Sequence, residues 1–186
     1  MTAPKGKLLV ISGPSGVGKG TICARLLEKH PEMTFSVSAT TRAPRAGEVH
    51  GVNYYFISHE EFAAAVENGE FLEHAAHFNN RYGTLRSEVE QRLAAGQTVL
   101  LDIDTAGAMQ VKDSGIDAVF VFLLPPSMEE LQRRILGRGT EDAAAIAQRL
   151  EKAKSELALA DAYDYRVVNH VVEDAVAEIE AILANH

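Results

Sequence analysis

"GPSGVGKGT", Gly13 to Thr21, follows the apolar stretch Lys7-Leu8-Leu9-Val10-Ile11-Ser12. Gly13-Pro14-Ser15-Gly16-Val17-Gly18-Lys19 fits G-x-x-x-x-G-K, the pattern of a loop that cradles phosphate. The glycines let successive backbone N–H groups turn inward around an anion. The helix that follows points its partial positive end at the same place, and Lys19 adds a full charge for β- and γ-phosphates. The pattern needs a strand before it and a helix after it. Lys7–Ser12 is a β-like run, and Ile22, Leu26 and Leu27 recur at helical spacing between Gly18 and His30, with Pro31 as the stop. Residues Gly13 to Thr21 are therefore the expected triphosphate site.

One position departs from the pattern. After Lys19 stands Gly20, where a Ser or Thr hydroxyl normally ligates Mg²⁺. Thr21 offers a hydroxyl one step later, and Mg²⁺ also tolerates being held mainly by phosphates and water. Asp102 and Asp104 end a later apolar run. Their spacing puts both carboxylates on one face, and such a repelling pair calls for a cation or donor nearby. Thr21, Asp102 and Asp104 are the protein groups expected near the metal, and a turn or helix cap is the plain alternative for either aspartate.

Outward from the loop, short apolar runs alternate with helical patterns. Thr34–Ala39 and Asn53–Ile57 read as strands, and Ser58 with Glu61 forms a capping box that opens a helix through Val66. Asn68-Gly69 is a turn, and Ser87–Ala95 is helical, ending at Gly96. Thr98–Ile103 and Ala118–Leu124 are continuous apolar runs of the kind found in parallel strands buried on both faces. Ser127 and Glu130 predict a second capping box and a helix to about Leu136. Glu141–Leu159 reads as a long helix, Tyr165–Asn169 as a strand and Asp174–Leu183 as a closing helix. The alternation predicts an α/β fold with a central parallel sheet flanked by helices. It falters between about residues 35 and 96, which read as an insert on that core.

The bulk properties bound the function. A chain of 186 residues, 46% hydrophobic and 24% charged, is expected to be one globular domain. A lone cysteine, Cys23, excludes an internal disulfide framework, and neither a signal-peptide pattern nor an apolar run of membrane-spanning length is visible, so a cytoplasmic setting is expected. The formal net charge of −8 disfavours nucleic acid polymers and anionic membranes as partners. A phosphate ligand must then be held by local cationic clusters working against the overall field.

One such cluster lies in "SATTRAPRAGEVHGVNYYF", Ser38 to Phe56. Pro44 biases its neighbour to extended geometry, so Arg42 and Arg45 sit on a loop. Two forked guanidiniums with Ser and Tyr hydroxyls make a second anion site, although two loop arginines alone are more often solvated charges. Here the chain resembles the guanylate kinase family. The resemblance is carried by the phosphate loop, "FSVSATTRAPRAGEVHGVNYYF", "GEFLEHA", "RYGT", "LLDID", "LPPS", "GRGTE" and "VVN", in that order. It implies a P-loop kinase fold with a core of about 1–34, 97–126 and 160–186, a GMP-binding insert of about 35–96 and a helical lid of about 127–159. The implied activity is transfer of the γ-phosphoryl group of ATP to GMP with Mg²⁺, giving ADP and GDP, in purine metabolism and GMP recycling. The substrates are ATP and GMP, with dGMP a further candidate acceptor.

The resemblance also implies roles. Ser38, Arg42, Arg45, Tyr54 and Tyr82 would hold the GMP phosphate, and Glu73, Thr84 and Asp102, with Gly83 beside them, would form the guanine site. Chemistry supports that choice, because guanine offers donors at N1 and N2 and a carboxylate is acceptor-only. "PPSMEELQRRILGRGTED" supplies Arg134 and Arg138, and the next helix Arg149, for the transferring phosphates, while Arg133 reads as a solvated helix residue. Arginines that arrive on closure stabilise charge in the transition state and exclude water. Asn169 of "VVN" would contact adenine. Alternatives from other classes are a non-catalytic guanylate-kinase-like interaction module and a P-loop kinase for another small phosphate. His74 and His77 lie three apart in a strand-like run, on opposite faces, and do not suggest a metal site.

Overall fold

The computed structural model describes residues 4–137, 139 and 142–186. Among them, five strands form a parallel sheet: β1 (Leu8–Ser12), β2 (Met33–Phe35), β7 (Thr98–Asp102), β8 (Val119–Leu124) and β9 (Tyr165–Val168), in the order β2-β7-β1-β8-β9. Alternation along the strands sorts their side chains to two faces. Leu9, Ile11, Leu100, Val121 and Leu123 pack against Ile22, Leu26, Val176 and Ile179 of α1 (Lys19–Lys29) and α7 (Val172–Ala184). Leu8, Val10, Leu101, Phe120 and Phe122 pack on the other side with Val89 and Leu93 of α3 (Arg86–Ala94) and Val111 of α4 (Thr105–Asp113). Apolar side chains in both directions explain why these strands read as unbroken hydrophobic runs. Strand order reverses at β1, so the loop leaving its C-terminal end lies in the crevice where such sheets bind ligands.

A second sheet runs β4-β3-β6-β5, from β3 (Ala39–Thr40), β4 (Tyr55–Phe56), β5 (Phe71–His77) and β6 (Asn80–Leu85). β5 and β6 are an antiparallel pair that sets Glu73 opposite Thr84. α2 (His59–Glu67) is entered through the full capping box: Glu61 N donates to Ser58 Oγ at 3.0 Å and Ser58 N to Glu61 Oε2 at 2.7 Å. α5 (Met128–Leu136) and α6 (Ala143–Leu157) pack on each other through Leu131, Ile135 and Ala153 in a small apolar cluster of their own. No helix among the described residues is long and apolar enough to cross a membrane.

Four expectations change. The strand predicted over Thr34–Ala39 is two strands: β2 completes the parallel sheet, and after Phe35-Ser36-Val37-Ser38 crosses over, β3 joins the second sheet. The strand predicted over Asn53–Ile57 is only Tyr55–Phe56, because its pairing with β3 spans two residues. The second capping box is half made. Ser127 Oγ accepts from Glu130 N at 3.1 Å, but the Glu130 carboxylate is taken by Arg133 and Arg134. The long helix starts at Ala143, capped by Asp142, whose side chain accepts from Ala145 N at 2.8 Å. Helix α4 has no counterpart in the expected elements.

Candidate active site

The loop after β1 is shaped by two glycines in left-handed geometry, Gly16 at φ 87° and Gly18 at φ 95°, the latter the N-cap of α1. Side chains with a Cβ adopt this region at a cost. Gly18 has a second constraint, since a Cβ there would lie 2.6 Å from Asn169 Nδ2. Val17 is fully buried and anchors the loop to the core. Lys19 Nζ sits 2.9 Å from Asp102 Oδ1 at the end of β7. Gly20 is open: no atom lies within 4 Å of a Cβ built there. Thr21 is exposed on α1.

Two of the expected arginines reach this loop. Arg149 of α6 donates to Ser15 Oγ at 2.9 Å. Arg134 of α5 donates to Val17 O at 3.1 Å and Asn169 O at 3.3 Å, while its Nε holds Glu130 at 3.0 Å. The guanidiniums of Arg133 and Arg134 hold the Glu130 carboxyl down at about 2, far below its ordinary value. Arg133 is well exposed and, among the described residues, pairs with Glu130, as a solvated helix residue would. Arg138 lies outside the described residues. Asn169 is 3% exposed and donates from Nδ2 to Val17 O at 2.8 Å. Its Nδ2 thus ties Asn169 to the phosphate loop, while its Oδ1 has no hydrogen-bond partner among the described residues.

The second anion cluster is assembled by the short sheet. Arg42 stacks on Tyr54, 5.4 Å from its ring centroid, and Tyr54 meets Tyr82 edge-on at 6.1 Å. β3 and β6 are neighbours, which brings Arg42, just past β3, to Tyr82. Ser38 precedes β3 and its carbonyl accepts from Tyr55 N at 2.9 Å. Arg45 is exposed beside them. One residue of this cluster escaped the sequence reading. Glu48 takes both arms of the Arg42 guanidinium at 3.0 Å each and also accepts from Arg45 N at 2.8 Å. These donors hold its carboxyl below the ordinary range, the Arg42 side chain contributing most. Its signal was the spacing in "TRAPRAGE", where a carboxylate follows two arginines on one loop.

The candidate base site lies on the β5–β6 pair. Thr84, 1% exposed, donates to Glu73 Oε1 at 2.7 Å across β5 and β6. Burial raises the Glu73 pKa, Thr84 opposes the rise, and the charge of Asp104 adds to it. Gly107 of α4 lets the carboxylate come close, for a Cβ there would lie 3.0 Å from Glu73 Oε2. Gln110 of the same helix locks β5 in place, accepting from His74 N at 3.0 Å and donating to His74 O at 3.1 Å. Asp104 caps α4 by accepting from Gly107 N at 2.8 Å and also borders the phosphate-loop cavity. The two aspartates therefore part ways, Asp102 to Lys19 and Asp104 to the cap of α4. Among the described residues, no three His, Cys, Asp or Glu side chains gather as metal ligands.

The guanylate kinase family profile matches residues 5–186. The chain belongs to the guanylate kinase family. A guanylate kinase of Clostridium perfringens (strain SM101) is 54% identical over 179 residues, covering 96% of this chain and 83% of the relative. One of Clostridioides difficile is 50% identical over 185 residues, covering 100% and 90%. The crystal structure of a guanylate kinase from Anaplasma phagocytophilum covers 99% of this chain and 87% of its own, with 38% identity and a TM-score of 0.72. Family membership over nearly the whole chain makes this protein a nucleoside monophosphate kinase with the P-loop fold, and sets aside the interaction-module reading.

Proposed function

We propose that the two anion clusters divide one phosphoryl transfer between them. The chain is an ATP:GMP phosphotransferase, moving the γ-phosphoryl group of ATP to GMP to give ADP and GDP. The loop Gly13–Thr21 with Lys19 takes the triphosphate. Ser38, Arg42, Arg45, Tyr54 and Tyr82 take the GMP phosphate, and Glu73, Thr84 and Asp102, beside Gly83, form the guanine site. A GMP phosphate oxygen attacks the γ-phosphorus while the bond to the β,γ-bridging oxygen breaks. That oxygen nucleophile is already anionic at neutral pH, so no general base is needed. Lys19, Arg134, Arg138 and Arg149 stabilise charge on the transferring group, and Arg42 fixes the acceptor. The insert and lid boundaries are part of this reading: the small apolar cluster between α5 and α6 supports a helical unit that moves over the loop.

Kinases of this class use Mg²⁺ with ATP. The residues present fit the ion. A cavity of about 350 Å³ along the loop is bordered by Thr21, Asp104 and Glu156, which are hard oxygen donors of the kind Mg²⁺ takes. When bound, the ion would supply positive charge against the negative charge that develops on the transferring phosphoryl group. The single, buried Cys23 supports a cytoplasmic setting.

The observation that carries the guanine reading is the half-buried, acceptor-only Glu73 carboxylate held by the buried Thr84. The test is coupled ADP release from Mg-ATP with GMP, dGMP, AMP, UMP and dTMP in parallel. Release with GMP and not with AMP or the pyrimidines is expected, and dGMP reports whether the ribose hydroxyl matters. Release with AMP would keep the phosphate loop and remove Glu73 from base selection.

A further inference from the structure

Glu156 enters the reading above only as one of the oxygen donors on the cavity wall. It sits on α6, is 7% exposed, and its Oε2 has no hydrogen-bond partner among the described residues. Lys152 Nζ is 3.7 Å from the other oxygen, too long for a hydrogen bond, on a side chain 65% exposed. A buried carboxylate oxygen without a donor is costly, and the cost rises when the space in front of it is built for phosphate. Glu156 shares that space with Gly13–Thr21 and with Asp104. The hydroxyl of Tyr163 is also buried and unpartnered among the described residues. Burial raises its pKa, the Ser12 side chain opposes the rise, and the charges of Asp104 and Glu156 add to it.

Acceptors that face an anion cradle are accommodated when something between them presents positive charge and hydrogen-bond donors. A hydrated divalent ion does both. The ordinary protein ligands are scarce here, since Gly20 has no hydroxyl and Asp102 is held by Lys19. We propose that Glu156, with Asp104, holds through water the Mg²⁺ that accompanies ATP in the phosphate loop. The inference rests on the reading of that loop as the ATP site. Glu156 is a positioning residue: it acts on the ion through its water, and because it lies on α6 it ties the metal to the same helix that brings Arg149 to Ser15.

The test is calorimetric titration of ATP, with Mg²⁺ and with a chelator, into the wild-type chain and Glu156→Gln. Wild type is expected to bind Mg-ATP more tightly than metal-free ATP. In Glu156→Gln the Mg-ATP affinity should fall about ten-fold, the scale of lost groups around a metal. Metal-free ATP should bind as well as before or better, because a repelling charge is gone. A variant that keeps the wild-type metal dependence, or loses both affinities equally, overturns the proposal. Wild type that binds no ATP in either condition instead overturns the loop assignment. A second measurement needs no variant. Electron–nuclear double resonance on Mn²⁺-ATP bound to the wild-type chain, grown with carboxyl-¹³C glutamate, should show a carboxylate carbon one water away from the ion. Its absence overturns the proposal even if Glu156→Gln fails to fold.

Discussion

Lys19 Nζ and Asp102 Oδ1 lie 2.9 Å apart, tying the loop after β1 to the end of the neighbouring strand β7. The pair holds the ammonium at the mouth of the phosphate loop before substrate arrives. A positioned cation on the transferring group is worth about 10²–10³ in turnover. Lys19→Ala should therefore lower kcat by that order with an unchanged circular dichroism spectrum and melting temperature. Asp102→Asn should cost less in kcat, because the lysine stays and only its orientation loosens. Unchanged turnover in Lys19→Ala would sink the loop assignment.

Arg42 is gripped by Glu48 through both guanidinium arms while it rests on Tyr54. Removing a charged hydrogen-bonding group from a ligand's phosphate weakens binding on the order of ten- to a hundred-fold. Arg42→Ala should raise KM for GMP by that factor and leave KM for ATP alone. Glu48→Gln should give a smaller rise, as the guanidinium loses its anchor and not its charge. A GMP titration of Arg42→Ala that matches wild type removes Arg42 from the site.

The parts of the fold legible in the sequence were those with a strong local signal. The β1–loop–α1 unit, the runs that became β7 and β8, and the Ser58–Glu61 box each carry their own periodicity or cap. Helix α4 was missed because Thr105-Ala-Gly-Ala-Met shows no strong apolar period, and Asp104, its cap, was weighed as a possible metal group. The break between β2 and β3 was missed because partner strands decide it, β7 for one and β6 for the other. In the site, residue types pointed to clusters but not to pairings. That Asp102 faces Lys19, Glu48 faces Arg42 and Asn169 lies under Val17 depends on contacts across 83, 6 and 152 positions.

Glu73 makes opposite predictions for stability and for binding. Burial raises its pKa above the ordinary carboxyl value. A carboxyl raised in the folded state favours folding below its unfolded pKa, and that contribution is lost as pH rises through the folded value. Above that raised value the ionised group therefore opposes the ligand-free fold. Glu73→Gln should raise the melting temperature above the raised Glu73 value, and the gain should vanish in acid, where the wild-type carboxyl is itself neutral. Guanine recognition runs the other way, since N1–H and N2–H need the ionised acceptor. KM for GMP should rise as pH falls through the raised Glu73 value, beyond the change due to the GMP phosphate itself. Glu73→Gln keeps the phosphate's titration and should lose the added branch. Superimposable pH profiles for the two proteins would rule out Glu73 as the base reader.

Gly20 is a position where the structure leaves room for the hydroxyl that the usual loop carries. Nothing lies within 4 Å of a Cβ built there, and the residue is the second of α1. Gly20→Ser exchanges a poor helix former for a better one, a gain of about 0.5 kcal/mol. The melting temperature should hold or rise slightly. The Mg²⁺ concentration for half-maximal rate should fall, as a direct oxygen joins those acting through water. A rise in that concentration would mean that the ion is placed away from α1.

Asn169 separates support of the loop from recognition of the base. Its Nδ2 donates to Val17 O, its own carbonyl accepts from Arg134, and Gly18 closes over it with no space for a Cβ. Asn169→Ala deletes the Val17 bond at a buried site, which costs about 1–3 kcal/mol where the carbonyl is left short of a donor. Arg134 also donates to Val17 O, which places the expected loss toward the lower end. The melting temperature should fall and KM for ATP should rise together, because a looser Val17 lets the backbone amides around Gly16 and Gly18 lose their common focus. A group that only supports the loop acts on the phosphates that ATP and GTP share. The ratio of kcat/KM for ATP over GTP as donor should then stay at its wild-type value while both constants drop. If Asn169 instead reads adenine, the ratio collapses with little change in melting temperature, so the two measurements on one variant decide between the roles.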